Sequence, residues 1–146
     1  MKKYIFISLL AVLSFCFTGC REEAERKFHA KTLDLTIMQK DWQFDDAAMR
    51  YYYHFSVPEL TEYVYNYGNF AICREYNVGT KDAYQVALPE SIYQTDTLTD
   101  GSVAYYTQHI DYAAGIHWVE ITLTNSDYFY PSQKPETMFF RLQIMY

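Results

Sequence analysis

The chain has 146 residues, a formal charge of −6 and 50% hydrophobic side chains, of which aromatics alone account for 19% of all residues. That is enough apolar surface for one packed domain and excludes a wholly disordered chain. An acidic balance and a pI near 5.1 exclude the basic patch expected of a nucleic-acid binder, so no nucleic acid is expected as a partner.

In chain order, Lys2 and Lys3 form a short positive start, and residues 5–17 are an apolar run. Its length suits a secretion signal and is short for a bilayer span. It ends in Phe17-Thr18-Gly19-Cys20. Small residues before a cysteine resemble the bacterial lipobox, in which cleavage precedes the cysteine and the cysteine is then acylated. The resemblance implies a signal peptide over residues 1–19, lipidation at Cys20 and a membrane as partner through that lipid. The alternative is an ordinary secretory signal cut nearby, leaving Cys20 a free thiol. Residues 21–27, Arg-Glu-Glu-Ala-Glu-Arg-Lys, have little to bury and read as a solvated tether, so the segment 20–30 links lipid to a domain over residues 31–146. Of three cysteines only Cys73 would remain beside a lipidated Cys20, which leaves no intramolecular disulfide and predicts a buried, inert thiol.

From Thr32 the pattern has period two, with Leu33, Leu35 and Ile37 on one side of a first strand. Residues 49–57 form a second, with Tyr51, Tyr53, Phe55 and Val57 against Tyr52, His54 and Ser56; Asp45-Asp46 is the turn before it. Residues 58–68 predict the one helix, with Pro58 and acids in its first turn, Leu60, Val64 and Tyr67 on a stripe, and Gly68 as its stop. Alternation resumes over residues 70–76, with Phe70, Ile72, Arg74 and Tyr76 opposite Ala71, Cys73 and Glu75. A short strand over residues 83–88 ends at Pro89, and residues 96–101 are turn-rich. Between Ser102 and Thr124 two alternating runs flank Ala113-Ala114-Gly115, which fits a three-residue hairpin loop with Gly115 left-handed. That register pairs Asp111 with His117 and His109 with Val119. It puts Val103, Tyr105, Val119, Ile121 and Leu123 in the core, and Tyr106, Gln108, Ile110, Trp118 and Glu120 on the opposite face. Met138, Phe140, Leu142 and Ile144 alternate in the last strand.

About seven strands and one short helix, with no repeats, predict an all-β, antiparallel sandwich of immunoglobulin-like type, a closed barrel being the alternative. Trp42, the Tyr51-Tyr52-Tyr53 run, residues 58–62 leading to Gly68, Leu88-Pro89, residues 111–115 and the closing run over residues 135–141 resemble small lipoproteins of Bacteroidota. The resemblance implies an envelope-anchored β-domain, an outer-membrane lipoprotein with surface exposure as a further option, and it transfers no catalytic residue.

No HExxH, GxSxG, P-loop, dinucleotide turn or CxxC is present, so the chain is read as a non-enzyme without a cofactor. His109, Asp111 and His117 share one face in the hairpin register above and are the candidate metal ligands of a small hydrolase, against the plainer reading of a solvated hairpin tip. Asp96, Asp100 and Asp127 are acidic loop residues that match no calcium-binding spacing. Tyr52, Tyr106, Trp118, Tyr128 and Tyr130 are candidate ligand-binding rings, which suit stacking on a sugar or a protein hot spot; packing on the sheet's second side is the alternative. The leading expectation is a non-catalytic module for a protein partner, with polysaccharide binding second and a metal-dependent hydrolase third.

Overall fold

A computed structural model describes residues 29–98, 100–127 and 134–146. The nine strands among them are β1 (Ala30–Ile37), β2 (Gln43–Asp45), β3 (Arg50–Ser56), β4 (Asn69–Tyr76), β5 (Tyr84–Ala87), β6 (Glu90–Thr97), β7 (Val103–Gly115), β8 (Trp118–Asn125) and β9 (Met138–Met145). A 3-10 turn (Gln39–Asp41) precedes β2, and helix α1 (Glu62–Tyr67) joins β3 to β4. The segment expected to be a signal peptide, Cys20 and most of the expected tether, with Tyr128 and Tyr130, lie outside the described residues. No helix of the described residues is long and apolar enough to cross a membrane.

All pairings are antiparallel and form two sheets, β1-β9-β4-β5 and β2-β3-β8-β7-β6. Their inward side chains make one core, in which Ile37, Ile72, Phe140 and Ile144 from the four-stranded sheet meet Ile110, Val119, Ile121 and Leu123 from the five-stranded one. Period-two patterning produces this directly: β9 buries Met138, Phe140, Leu142 and Ile144 and turns the residues between them outward. Trp42 is fully buried and its indole N–H donates to the Glu136 carbonyl at 3.2 Å, which satisfies the one polar atom of the largest core side chain. The sandwich-like, all-β architecture agrees with the sequence, but the strand order is not the immunoglobulin one. Here the first strand pairs with the last, whereas the immunoglobulin order sets the first strand against the second.

The expected helix start, hairpin register and Gly115 conformation are corrected, while Gly68 does end the helix. The helix starts at Glu62, not Pro58, because Thr61 caps it by accepting the Val64 N–H at 3.3 Å. Gly68 ends it through close approach: a Cβ there would lie 2.7 Å from the Val64 carbonyl oxygen and 2.9 Å from that of Met145. The β7–β8 hairpin turns on Ile116-His117, so Gly115 pairs with Trp118, and Asp111 faces Thr122 where His117 was expected. Gly115 is not left-handed; His117 is, with φ 67°. The cause is tertiary. His117 donates its backbone N–H to the Leu60 carbonyl at 2.8 Å and accepts from Val57 N at 2.8 Å, so the loop before α1 fixes the turn's position.

Because this register differs from the expected one by an odd number of residues, β7 is inverted. Ile110 is fully buried, while Val103 and Tyr105, expected in the core, are 49% and 67% exposed. Tyr106 moves with Ile110 to the inner side, half-buried, and burial with the Asp96 and Asp127 charges pushes its hydroxyl pKa up. Cys73 is half-buried on the outer side of β4, between Arg141 and Ala87, and not in the core. Strands β2 and β6 were not foreseen. The chain passes from β5 in one sheet to β6 in the other through the cis Leu88–Pro89 bond.

Candidate functional site

Outward residues of the four-stranded sheet form two adjacent rows. Asp34, Arg141, Cys73 and Ala87 lie across β1, β9, β4 and β5, and Thr36, Phe139, Glu75 and Gln85 form the next. Arg141 grips Asp34 with two bonds, Nε to Oδ1 at 2.7 Å and Nη2 to Oδ2 at 3.2 Å, and the same Nη2 lies 3.3 Å from Glu75 Oε1. Gln85 Nε2 completes the series, donating to Glu75 Oε1 at 2.9 Å. The planar guanidinium fork suits this bidentate, cross-strand geometry as a lysine ammonium would not. The hydrogen bond from Arg141 holds the Asp34 carboxyl below its ordinary range, and that bond, with the charges of Glu75 and Asp34, pushes the Arg141 pKa up.

Over these rows opens a groove of about 720 Å³, walled by the β4–β5 connection at Val78, Gly79 and Ala83. Tyr84 stands at one side, stacked on Tyr76 with ring centroids 4.8 Å apart and planes 7° off parallel. Phe139, 38% exposed, gives the floor an apolar patch. The groove therefore combines a ring surface with carboxylate acceptors, a guanidinium and an amide at fixed positions, in the size range typical of ligand sites. Asp34, Glu75, Gln85, Phe139 and Arg141 were not singled out from sequence. The usable signal was opposite charge at outward positions of three separate strands, but joining them required knowing that β1, β9 and β4 are neighbours.

The candidates read from sequence are dispersed. Tyr52 and Trp118 do share the outer face of the five-stranded sheet. Tyr52 donates its hydroxyl to Gln43 Oε1 at 2.8 Å, and Trp118 stacks on His54 at 5.2 Å while its indole covers Gly115. Tyr106 is on the inner side, away from them. His109, Asp111 and His117 are not assembled: His109 Nδ1 lies 2.8 Å from Ser91 Oγ, Asp111 accepts from Tyr112 N at 2.7 Å, and His117 Nδ1 lies 3.2 Å from the Pro58 carbonyl. No group of three metal-binding side chains occurs among the described residues. Asp100 serves its own turn, accepting from Ser102 N at 2.9 Å and Ser102 Oγ at 2.6 Å. The most exposed rings of that outer face are instead Tyr93 and Tyr105, diagonal neighbours on β6 and β7 at 77% and 67% exposure.

No family model, no curated protein and no solved structure matches this chain.

Proposed function

We propose that this protein is a lipid-anchored envelope lipoprotein, carried on the membrane by acylated Cys20, whose β-domain is a non-catalytic binding module for a glycan. The groove over Asp34, Arg141, Glu75 and Gln85 is the observation that carries the ligand class: hydroxyl groups of a sugar suit its fixed donors and acceptors, and the apolar face of a pyranose suits Phe139. Anchoring rests on the lipobox-like Thr18-Gly19-Cys20 and the apolar run before it, and outer-membrane placement rests on the resemblance to Bacteroidota lipoproteins. The test is calorimetric titration of the folded protein with a polysaccharide panel. Saturable binding is expected, weakened roughly 2- to 10-fold by Phe139→Ala, the loss of one ring contact, and unchanged by Tyr93→Ala. Silence across the panel from folded protein sinks the glycan reading.

A protein partner is the second reading, favoured by Tyr93 and Tyr105. Two exposed rings on a stretch of β6 and β7 whose other outward residues are Ser91, Thr95, Thr97, Val103, Thr107 and His109 make an aromatic patch without Asp, Glu, Lys or Arg, of the kind that forms hot spots. Crosslinking from position 93 in native envelopes, with capture lost in Tyr105→Ala, would bring that reading to the front.

A further inference from the structure

The end of the sandwich from which the tether departs has a distinctive surface. His29 and Tyr146 exchange backbone hydrogen bonds at 2.7 and 2.9 Å and stack their rings 5.5 Å apart, so the N-terminal entry to β1 and the end of β9 are tied together. Helix α1 packs at the same end, since Gly68 abuts the Met145 carbonyl and Asn69 pairs with Met145. Its Val64 is buried, and Tyr63, Tyr65 and Tyr67 are 63%, 45% and 78% exposed, with the Tyr63 and Tyr67 rings 5.4 Å apart one helical turn from each other. The β7–β8 turn, bonded to Val57 and Leu60, adds Ile116 at 42% exposure. The nearby charges Lys31 and Glu59 neutralise each other at 2.7 Å, and Glu62 is the one acid in the helix's first turn.

We propose that this tyrosine-rich end docks on the headgroup interface of the bilayer that carries the lipid of Cys20, and so sets the orientation of the domain. The inference rests on the lipid-anchor reading given above. Cys20 and His29 are nine positions apart, so even a fully extended tether holds His29 within about 30 Å of the membrane surface. Tethering raises the effective concentration of this end at the bilayer, so a patch of modest affinity suffices. Tyrosine is the right chemistry for the location, because its ring enters the apolar margin while its hydroxyl stays among headgroups and water. The opposite end of the sandwich also exposes single apolar side chains, Met38 and Val78 among them, but the eight residues of β1 put it about 26 Å farther along the strands. Docking by the tether end leaves that far end, and with it the groove wall at Val78 and Gly79, pointing away from the membrane.

The full chain, produced in a bacterial host that processes lipoproteins, is reconstituted into phosphatidylcholine vesicles with and without brominated acyl chains. Emission added by Tyr67→Trp, over that of the two native tryptophans, is compared with emission added by Val78→Trp. The expected result is co-flotation of both variants, a blue-shifted and bromine-quenched signal from position 67, and an unquenched signal from position 78. Co-flotation with neither position quenched, or with both quenched alike, overturns oriented docking while leaving the anchor intact. Failure to float, with an unacylated Cys20 by mass, overturns the anchor reading and the docking with it. Capture of position 67 by a protein in native envelopes, combined with no quenching in vesicles, replaces the bilayer by a protein partner and also overturns the proposal.

Discussion

Replacing Arg74 by Met, a change that keeps side-chain volume, is expected to destabilise the fold strongly. Arg74 is on the inner side of β4 with its side chain only 8% exposed, and it bridges the two sheets: Nη1 is 3.9 Å from Glu90 Oε2 on β6, Nη2 is 3.3 Å from Glu136 Oε1, and the guanidinium carbon sits 4.4 Å over the Tyr76 ring. Glu90 is 11% exposed at its side chain and also accepts the Tyr76 hydroxyl at 2.7 Å. Removing the cation strands a buried carboxylate, which costs about 3–5 kcal/mol for a buried pair. Because Tyr76 still donates to Glu90, the low end applies, about 3 kcal/mol, or a melting temperature lower by about 12 °C for a domain of this size. Glu136 is 75% exposed and adds little. The assay is urea unfolding followed by tryptophan emission, which reports on buried Trp42, for wild type, Arg74→Met, Glu90→Leu and the double variant. The double variant is expected to recover most of the loss, since apolar replacement of both members of a buried pair is often neutral. A cost below about 1 kcal/mol for Arg74→Met, or a double variant as unstable as the sum of the singles, would refute the account of Arg74 as a desolvated, paired charge.

Gly115→Val is expected to cost about 1–3 kcal/mol and to red-shift Trp118 emission, because a Cβ there would lie 2.5 Å from the indole and force the ring off the strand; an unchanged spectrum and stability would show that Trp118 moves freely. Asp34 and Glu59 are both held below their ordinary carboxylate range, chiefly by hydrogen bonds from Arg141 and Lys31. Their contribution is complete above the unfolded-state values and is lost as pH falls through the lower folded values, so stability should decline below about pH 4, and less steeply in Arg141→Met; thermal melts from pH 6 to pH 2 measure it. Tyr76 has its pKa pushed up by burial and by its bond to Glu90, which favours the neutral phenol in the folded protein. Stability should therefore fall as pH rises above about 10, and Tyr76→Phe should make that alkaline arm shallower while leaving the part that Tyr106 contributes. Because His109, Asp111 and His117 face different partners, any change of melting temperature in excess zinc should be the same in wild type and His117→Ala, whereas a site built on them, at 100 times its Kd, would add about 2.7 kcal/mol to wild type alone.

The legibility of the chain follows the range of the forces involved. Wherever burial of one sheet face decides a strand, as in β1, β3 and β9, alternation alone names the inward residues, because a slip by one would expose all of them. The β7 strand defeats this reading. Over residues 105–112 the face Tyr106-Gln108-Ile110-Tyr112 is the more apolar of the two, but an Ala113-Ala114-Gly115 loop would turn the other one inward, so the choice falls to the turn the chain makes. That turn is held by backbone bonds from Val57 and Leu60, some sixty positions away in the chain, and they fix Ile116-His117 where Ala113-Ala114-Gly115 had the better local turn chemistry. One tertiary decision thus exchanges the faces of a thirteen-residue strand and separates His109, Asp111 and His117.

The groove was illegible for the converse reason. Each of its polar residues is unremarkable in its own strand: Asp34 and Glu75 read as ordinary outward acids, and Arg141 as a polar position between Phe140 and Leu142. Their meaning comes from β9 being inserted between β1 and β4, a pairing that joins the two ends of the chain and sets Arg141 directly opposite Asp34 and one step from Glu75. The same pairing stacks His29 on Tyr146, so the strand that builds the groove also fixes where the chain enters β1. The groove and the N-terminal entry to β1 are consequently held on one sheet, the arrangement that the proposed tethered module needs to keep its groove facing outward.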